Sequence, residues 1–143
     1  MPFSAKTEYG LVSLLELAAI HSQGGVLQMA EIAQRQRIPD RYLEQMLASL
    51  RRANILRSIR GPRGGYQLAR PPEQIQLGEV IAALEGEASP RRADGRDTPE
   101  YAVLFGLEDR LDKARRQILE RTTLQELLDQ RDRLTQAQAM YFI

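Results

Sequence analysis

Between Ile38 and Leu68 the apolar positions change period. Leu43, Met46, Leu47 and Leu50 stand at i, i+3, i+4 and i+7, the spacing of one face of a 3.6-residue repeat, and predict a helix with that face buried. At about 100° per residue, the opposite face carries Arg41, Gln45, Ala48 and Arg52, flanked by Tyr42, Glu44 and Ser49. After Asn54 the pattern turns extended. Leu56 to Arg60 lead into Gly61, Pro62, Arg63, Gly64 and Gly65, and the chain returns through Tyr66, Gln67 and Leu68. Tip glycines permit positive φ and Pro62 stiffens the loop, so a two-stranded hairpin is predicted with Arg60 and Arg63 at its end. A helix followed by a basic hairpin is the arrangement of a winged helix-turn-helix.

The remaining periodicities build around this pair. Ser4 is placed to cap a first helix over about residues 4–22, with Leu11, Leu14, Leu15 and Ala18 on its apolar face and Gly24 and Gly25 as its stop. His21, the one histidine, falls near the end of that helix, where it would interact with the last carbonyls. Val26 and Leu27 read as a short strand pairing with the hairpin, and a short helix runs from Met29 to Gln36 until Ile38-Pro39 breaks it. Leu77, Val80, Ile81 and Leu84 mark a further helix stopped at Gly86. Residues 87–98 are polar and charged without apolar periodicity, and predict an exposed, mobile loop.

Pro99 suits the first position of a long helix. Leu104, Leu107, Leu111, Ala114 and Ile118 then alternate spacings of three and four, a seam of a and d positions over about two heptads. No second helix of equal length is evident to cover it, so the seam is expected to pack on the same helix of a second copy. Thr123 with Glu126 forms a capping-box pattern opening a last helix, whose end, Met140 to Ile143, is apolar. The predicted fold is mainly α with a small β-hairpin wing: residues 1–86 a winged helix-turn-helix, 87–98 a charged loop, and 99–143 the dimerisation helix and C-terminal helix.

Composition narrows the chemistry. The 143-residue chain has no cysteine, which excludes disulfides, thiolate catalysis and cysteine-ligated metal. Lys6, Glu8 and Glu16 interrupt the first apolar stretch, so it reads as neither a signal peptide nor a spanning helix, and a cytoplasmic protein is expected. The net charge is only +1, yet its distribution is uneven: residues 35–70 carry nine arginines and two acidic groups, whereas each remaining segment is net negative. All the surplus positive charge lies on the helix and hairpin, which suits the phosphates of double-stranded DNA. Gln45 and the arginines suit base edges, small Ala48 and Ser49 allow close approach, and Lys6 in the first turn of a helix suits a phosphate. With one histidine and no phosphate-binding glycine loop before a helix, no nucleophile and base constellation can be assembled, so no enzyme is expected.

The segments SAKTEYGL, YLEQMLASLRRANILRSIRGPRGGYQLARP, LGEVIAALEG and TTLQEL together resemble the Rrf-two family of bacterial transcription regulators over nearly the whole chain. The resemblance implies a homodimer that binds a partly palindromic operator. It places Tyr42, Glu44 and Gln45 among base-reading residues, Arg60 in the minor groove and Lys6 on phosphate. Arg41, Arg52, Arg57 and Arg63 are added from the helical wheel and the hairpin. Many members hold an iron-sulfur cluster through three cysteines after the LGEVIAALEG segment, and this chain has none, so no cofactor is expected. Glu8, Asp94 and Asp97 offer oxygens for a hard cation, but solvated surface charge explains them more simply, and no metal is expected. Repression by blocking polymerase is the expected action, with a small-molecule effector left open. The alternative is a dimeric adaptor that acts through protein partners without its own operator.

Overall fold

The computed structural model describes residues 3–86 and 95–141. Ser4 is extended and its hydroxyl accepts from the Thr7 amide, opening α1 over Ala5–Ala19. The α-helix stops three residues earlier than its apolar periodicity suggests. The amides of Gln23 and Gly25 both donate to the Ile20 carbonyl, tightening the end into a 3-10 turn over His21–Gln23. Gly24 then takes a left-handed φ of 66°. His21 therefore lies beyond the helix end rather than over its last carbonyls.

α2 spans Met29–Gln36, and Arg37 in a left-handed conformation (φ 55°) turns the chain into Pro39 and α3, Asp40–Arg52. Leu43, Met46, Leu47 and Leu50 are all buried, as their spacing requires. Asn54, at φ 61°, reverses the chain. Ile55 and Leu56 then enter the core before β1, Leu56–Ile59, pairs antiparallel with β2, Gly65–Leu68. The register sets Leu56 opposite Leu68 and Ile59 opposite Gly65. Leu27 adds one bridge to the far side of β2, exchanging two hydrogen bonds of 2.7 and 3.0 Å with Tyr66.

The core is continuous. Leu14 and Leu17 of α1, Ile32 of α2, Leu43, Leu47 and Leu50 of α3, and Leu56 and Leu68 of the hairpin all belong to it. α4, Leu77–Glu85, closes it with Leu77, Val80 and Ile81, while its Leu84 packs over Gly10. The absence of a Cβ at Gly10 lets α1 and α4 approach closely, because an added Cβ would lie 2.7 Å from Leu84.

α5 runs over Pro99–Arg121 from a Thr98 cap and buries no residue of its own. A connection that the sequence does not announce follows it. Gln76 bridges Thr123, with Leu77 N donating to Thr122 O at 2.9 Å and Leu124 N to Ile75 O at 2.8 Å. These bonds hold the start of α6, Leu124–Tyr141, against α1, and Leu124 and Leu128 join the same core as the N-terminal helices. The Thr123 hydroxyl accepts from Glu126 N, as its capping pattern predicts. Most of the segment read as a mobile loop, residues 87–94, lies outside the described residues. Among the described residues, no helix is long and apolar enough to cross a membrane.

Truncating Leu124, which is fully buried, to alanine is expected to cost about 2–5 kcal/mol. Denaturant unfolding should show that loss in one transition shared by the whole chain. A normal midpoint for the N-terminal helices would mean that α6 is not part of their core.

Candidate nucleic-acid interface

Burial of the Leu43–Leu47–Leu50 face turns the other face of α3 outward. There Arg41, Glu44, Gln45, Ala48, Ser49 and Arg52 line one shallow groove. Its polar groups alternate with small side chains, so a base edge can approach Gln45 and Glu44 without displacing bulk. Arg52 donates to the Ser49 hydroxyl at 3.2 Å, which holds its guanidinium along the helix.

At the start of α3 the structure gathers residues from two helices around one ring. The Tyr42 ring lies 6.4 Å from that of Tyr9 in α1, with 28° between their planes. The Lys6 ammonium sits 5.8 Å from the Tyr42 centroid and the Arg41 guanidinium 5.1 Å, and Arg41 also donates to the Tyr42 hydroxyl at 3.3 Å. Two cations that would repel in isolation are held against one aromatic ring, an arrangement stabilised by the quadrupole of the ring. Tyr9 was not singled out from the sequence. The available signal was its place three residues after Lys6, which puts it on the same side of α1.

Arg57 of β1 is braced differently. Its Nε donates to the Gln67 side chain on β2, and Gln67 in turn donates to the Gly25 carbonyl at 3.4 Å, tying the hairpin to the turn after α1. Arg60 and Arg63 are exposed on the tip. The tip is a tight turn in which Gly64 N donates to Gly61 O at 2.9 Å. At Gly64 any Cβ would fall 2.1 Å from the Ile59 carbonyl oxygen.

The electrostatics separate the nine arginines of residues 35–70. Arg35 is spent on Glu16 and Glu31, each at 3.2 Å, and Arg70 on Glu79. The other seven, Arg37, Arg41, Arg51, Arg52, Arg57, Arg60 and Arg63, have no ion-pair partner among the described residues, and five of them, Arg41, Arg52, Arg57, Arg60 and Arg63, lie on the α3 groove and the hairpin. These five cations remain unneutralised on the α3 face and the hairpin, ready for phosphate. Glu8 and Asp97 are exposed, Asp94 lies outside the described residues, and no three metal-ligating side chains are grouped among the described residues.

The model of the Rrf2 family, described as an iron-dependent transcriptional regulator, matches residues 3–130. The chain belongs to the Rrf2 family. A Synechocystis sp. protein of the HTH-type regulator class is 45% identical over 97 residues, which is 68% of this chain and 65% of its own length. The HTH-type transcriptional regulator CymR of Bacillus subtilis is 36% identical over 141 residues, 99% of both chains. The structure of B. subtilis CymR superposes with a TM-score of 0.76, covering 90% of this chain and 97% of that one, and T. potens IscR, 32% identical, with 0.75, covering 91% and 88%. This Rrf2 member is accordingly a DNA-binding transcription regulator and not an enzyme. The iron in the family's description finds no thiolate here: with no cysteine in the chain, the residues present do not fit an iron-sulfur cluster.

Replacing Gly64 with alanine should force the tip open while leaving the core intact. The expected result is a near-normal unfolding midpoint together with weakened binding to duplex DNA by fluorescence anisotropy. Unchanged binding would show that the tip geometry is irrelevant to the interface.

Proposed function

We propose that this Rrf2 protein is a homodimeric, sequence-specific repressor that works in the cytoplasm without an iron-sulfur cluster. The observation that carries the reading is the groove along α3, where Arg41, Glu44, Gln45 and Arg52 face outward beside a hairpin whose arginines lack ion-pair partners among the described residues. Gln45 and Glu44 read base edges in the major groove, with Tyr42 beside them. Arg60 and Arg63 reach from the wing, and Lys6, Arg41, Arg52 and Arg57 hold phosphates. Residues 1–86 form the reading unit, and within residues 99–143 α5 is the pairing arm while α6 packs its Leu124 and Leu128 into the core of the reading unit.

The pairing arm is supported by exposure. Leu104 is 46% exposed, Leu107 48%, Leu111 63% and Ile118 66%, and Ala114 is exposed between them. A single chain leaves this seam in water, and α5 of a second copy buries it by the symmetric a/d packing that a homodimer requires. Two reading units related by a two-fold axis then face a partly palindromic operator, and occupancy of that site blocks polymerase. With the cluster chemistry absent, control falls to a small-molecule effector or to the amount of protein.

Three measurements test this reading. Anisotropy titrations against DNA upstream of the gene itself, with a random duplex as control, should show specific binding by metal-free protein that falls steeply with salt. Equal, weak, salt-insensitive binding to both would favour the adaptor reading. Gln45→Ala should relax base preference by about 1–3 kcal/mol, whereas Arg57→Ala should weaken all sequences alike. Leu111→Glu should convert the dimer to a monomer in sedimentation and lower operator affinity by about a hundredfold, through loss of the second half-site.

A further inference from the structure

Behind the DNA-facing surface a chain of hydrogen bonds joins three helices. The Ser4 hydroxyl donates to Thr7 Oγ1 at 3.0 Å, and Thr7 Oγ1 donates to Glu85 Oε1 at 3.4 Å. The second oxygen of Glu85 accepts from Arg115 Nη2 of α5 at 3.3 Å. Thr7 is fully buried, so its hydroxyl must find an acceptor inside the protein, and the carboxylate of Glu85 supplies it. The donors all run one way, from the cap of α1 to the last residue of α4, and a cation on α5 balances the charge on which they end.

Lys6 lies between Ser4 and Thr7 in the first turn of α1, on the turn that this chain fixes. In front, its ammonium meets the Tyr42 ring of α3. The turn is thus clamped from two sides, by Tyr42 toward the DNA face and by Glu85 toward the long helix. We propose that Glu85 is a positioning residue for DNA binding, which holds the first turn of α1, and through it Lys6, at a place set by Arg115 on α5. The proposal rests on the DNA-reading surface described above. It makes the pairing helix and the phosphate contact parts of one hydrogen-bonded unit, so that a shift of α5 moves Glu85 and with it the cap of α1.

The test uses the full-length protein and random-sequence duplex DNA, read as affinity across a salt series. Lys6→Ala should reduce the slope of log affinity against log salt by about 0.9, the loss of one phosphate contact. Thr7→Val should do the same, the Lys6→Ala/Thr7→Val double variant should lose nothing further, and Thr7→Ser should restore the slope. Arg115→Met should lower affinity by between about twofold and thirtyfold and be non-additive with Thr7→Val, an effect that a merely structural role for Arg115 would not produce. Glu85→Gln keeps an acceptor for Thr7 but loses the charge facing Arg115, so it should match Arg115→Met even if Thr7→Val fails to fold. If the wild type binds and Lys6→Ala reduces the slope, while Arg115→Met and Glu85→Gln bind normally or add to Thr7→Val, the positioning role is wrong and the DNA reading stands. If the wild type shows no salt-dependent binding, the DNA reading falls and this inference with it.

Discussion

Burial of one face of α3 obliges its other face to meet the outside. Leu43, Leu47 and Leu50 are fully buried against the core formed with α1, and a rigid helix cannot hide those three without presenting Arg41, Gln45, Ala48 and Arg52 to solvent. The hydrophobic term therefore both holds the fold together and aims the polar side chains. The hairpin depends on the same anchor. Ile55 and Leu56, immediately after the left-handed turn at Asn54, are buried in continuity with α3 and start β1 at a fixed place.

Charge is distributed with the same logic. A net charge of +1 says little about partners, because the acids lie elsewhere on the chain. Within residues 35–70 the fold uses Arg35 to tie α2 to Glu16 of α1 and Arg70 to tie the end of the hairpin to Glu79 of α4. Both pairs are only partly exposed, and each fixes how its two elements sit against one another. The arginines of the α3 groove and the wing, Arg41, Arg52, Arg57, Arg60 and Arg63, are among those without an ion-pair partner among the described residues. Electrostatic affinity for a polyanion is thereby concentrated on one surface while the molecule as a whole stays near neutral.

The three parts of this Rrf2 protein, namely reading helix, wing and long helix, are not independent. The bridge between Gln76 and Thr123 returns the chain from α5 to the core, and Leu124 and Leu128 are buried there. That return links α5 to the core that holds α1, and the proposed positioning role of Glu85 would add a second link between the same two helices. Cysteine-based sensing has no residues to work with in this chain.

Local chemistry was legible from residue order alone. The apolar spacing of α3, the Ser4 and Thr123 caps, the glycine-tipped hairpin and the a/d seam of α5 each depend on neighbours within a few positions, where 3.6-residue and two-residue periods are decisive. The end of α1 was misread by three residues because the shared carbonyl of Ile20 that tightens it involves two amides folding back, which periodicity does not encode. Contacts between distant positions were invisible for a stronger reason. The stacking of Tyr9 on Tyr42, the bridge from Gln76 to Thr123 and the bond from Thr7 to Glu85 join residues 33, 47 and 78 positions apart. No short-range pattern specifies such pairs, since any of several polar or aromatic partners would satisfy the same side chain. Residue order determined which elements form and which faces are apolar. Only the packing of those elements decided which cations stay unpaired, which ring collects them, and which carboxylate ties the long helix to the first.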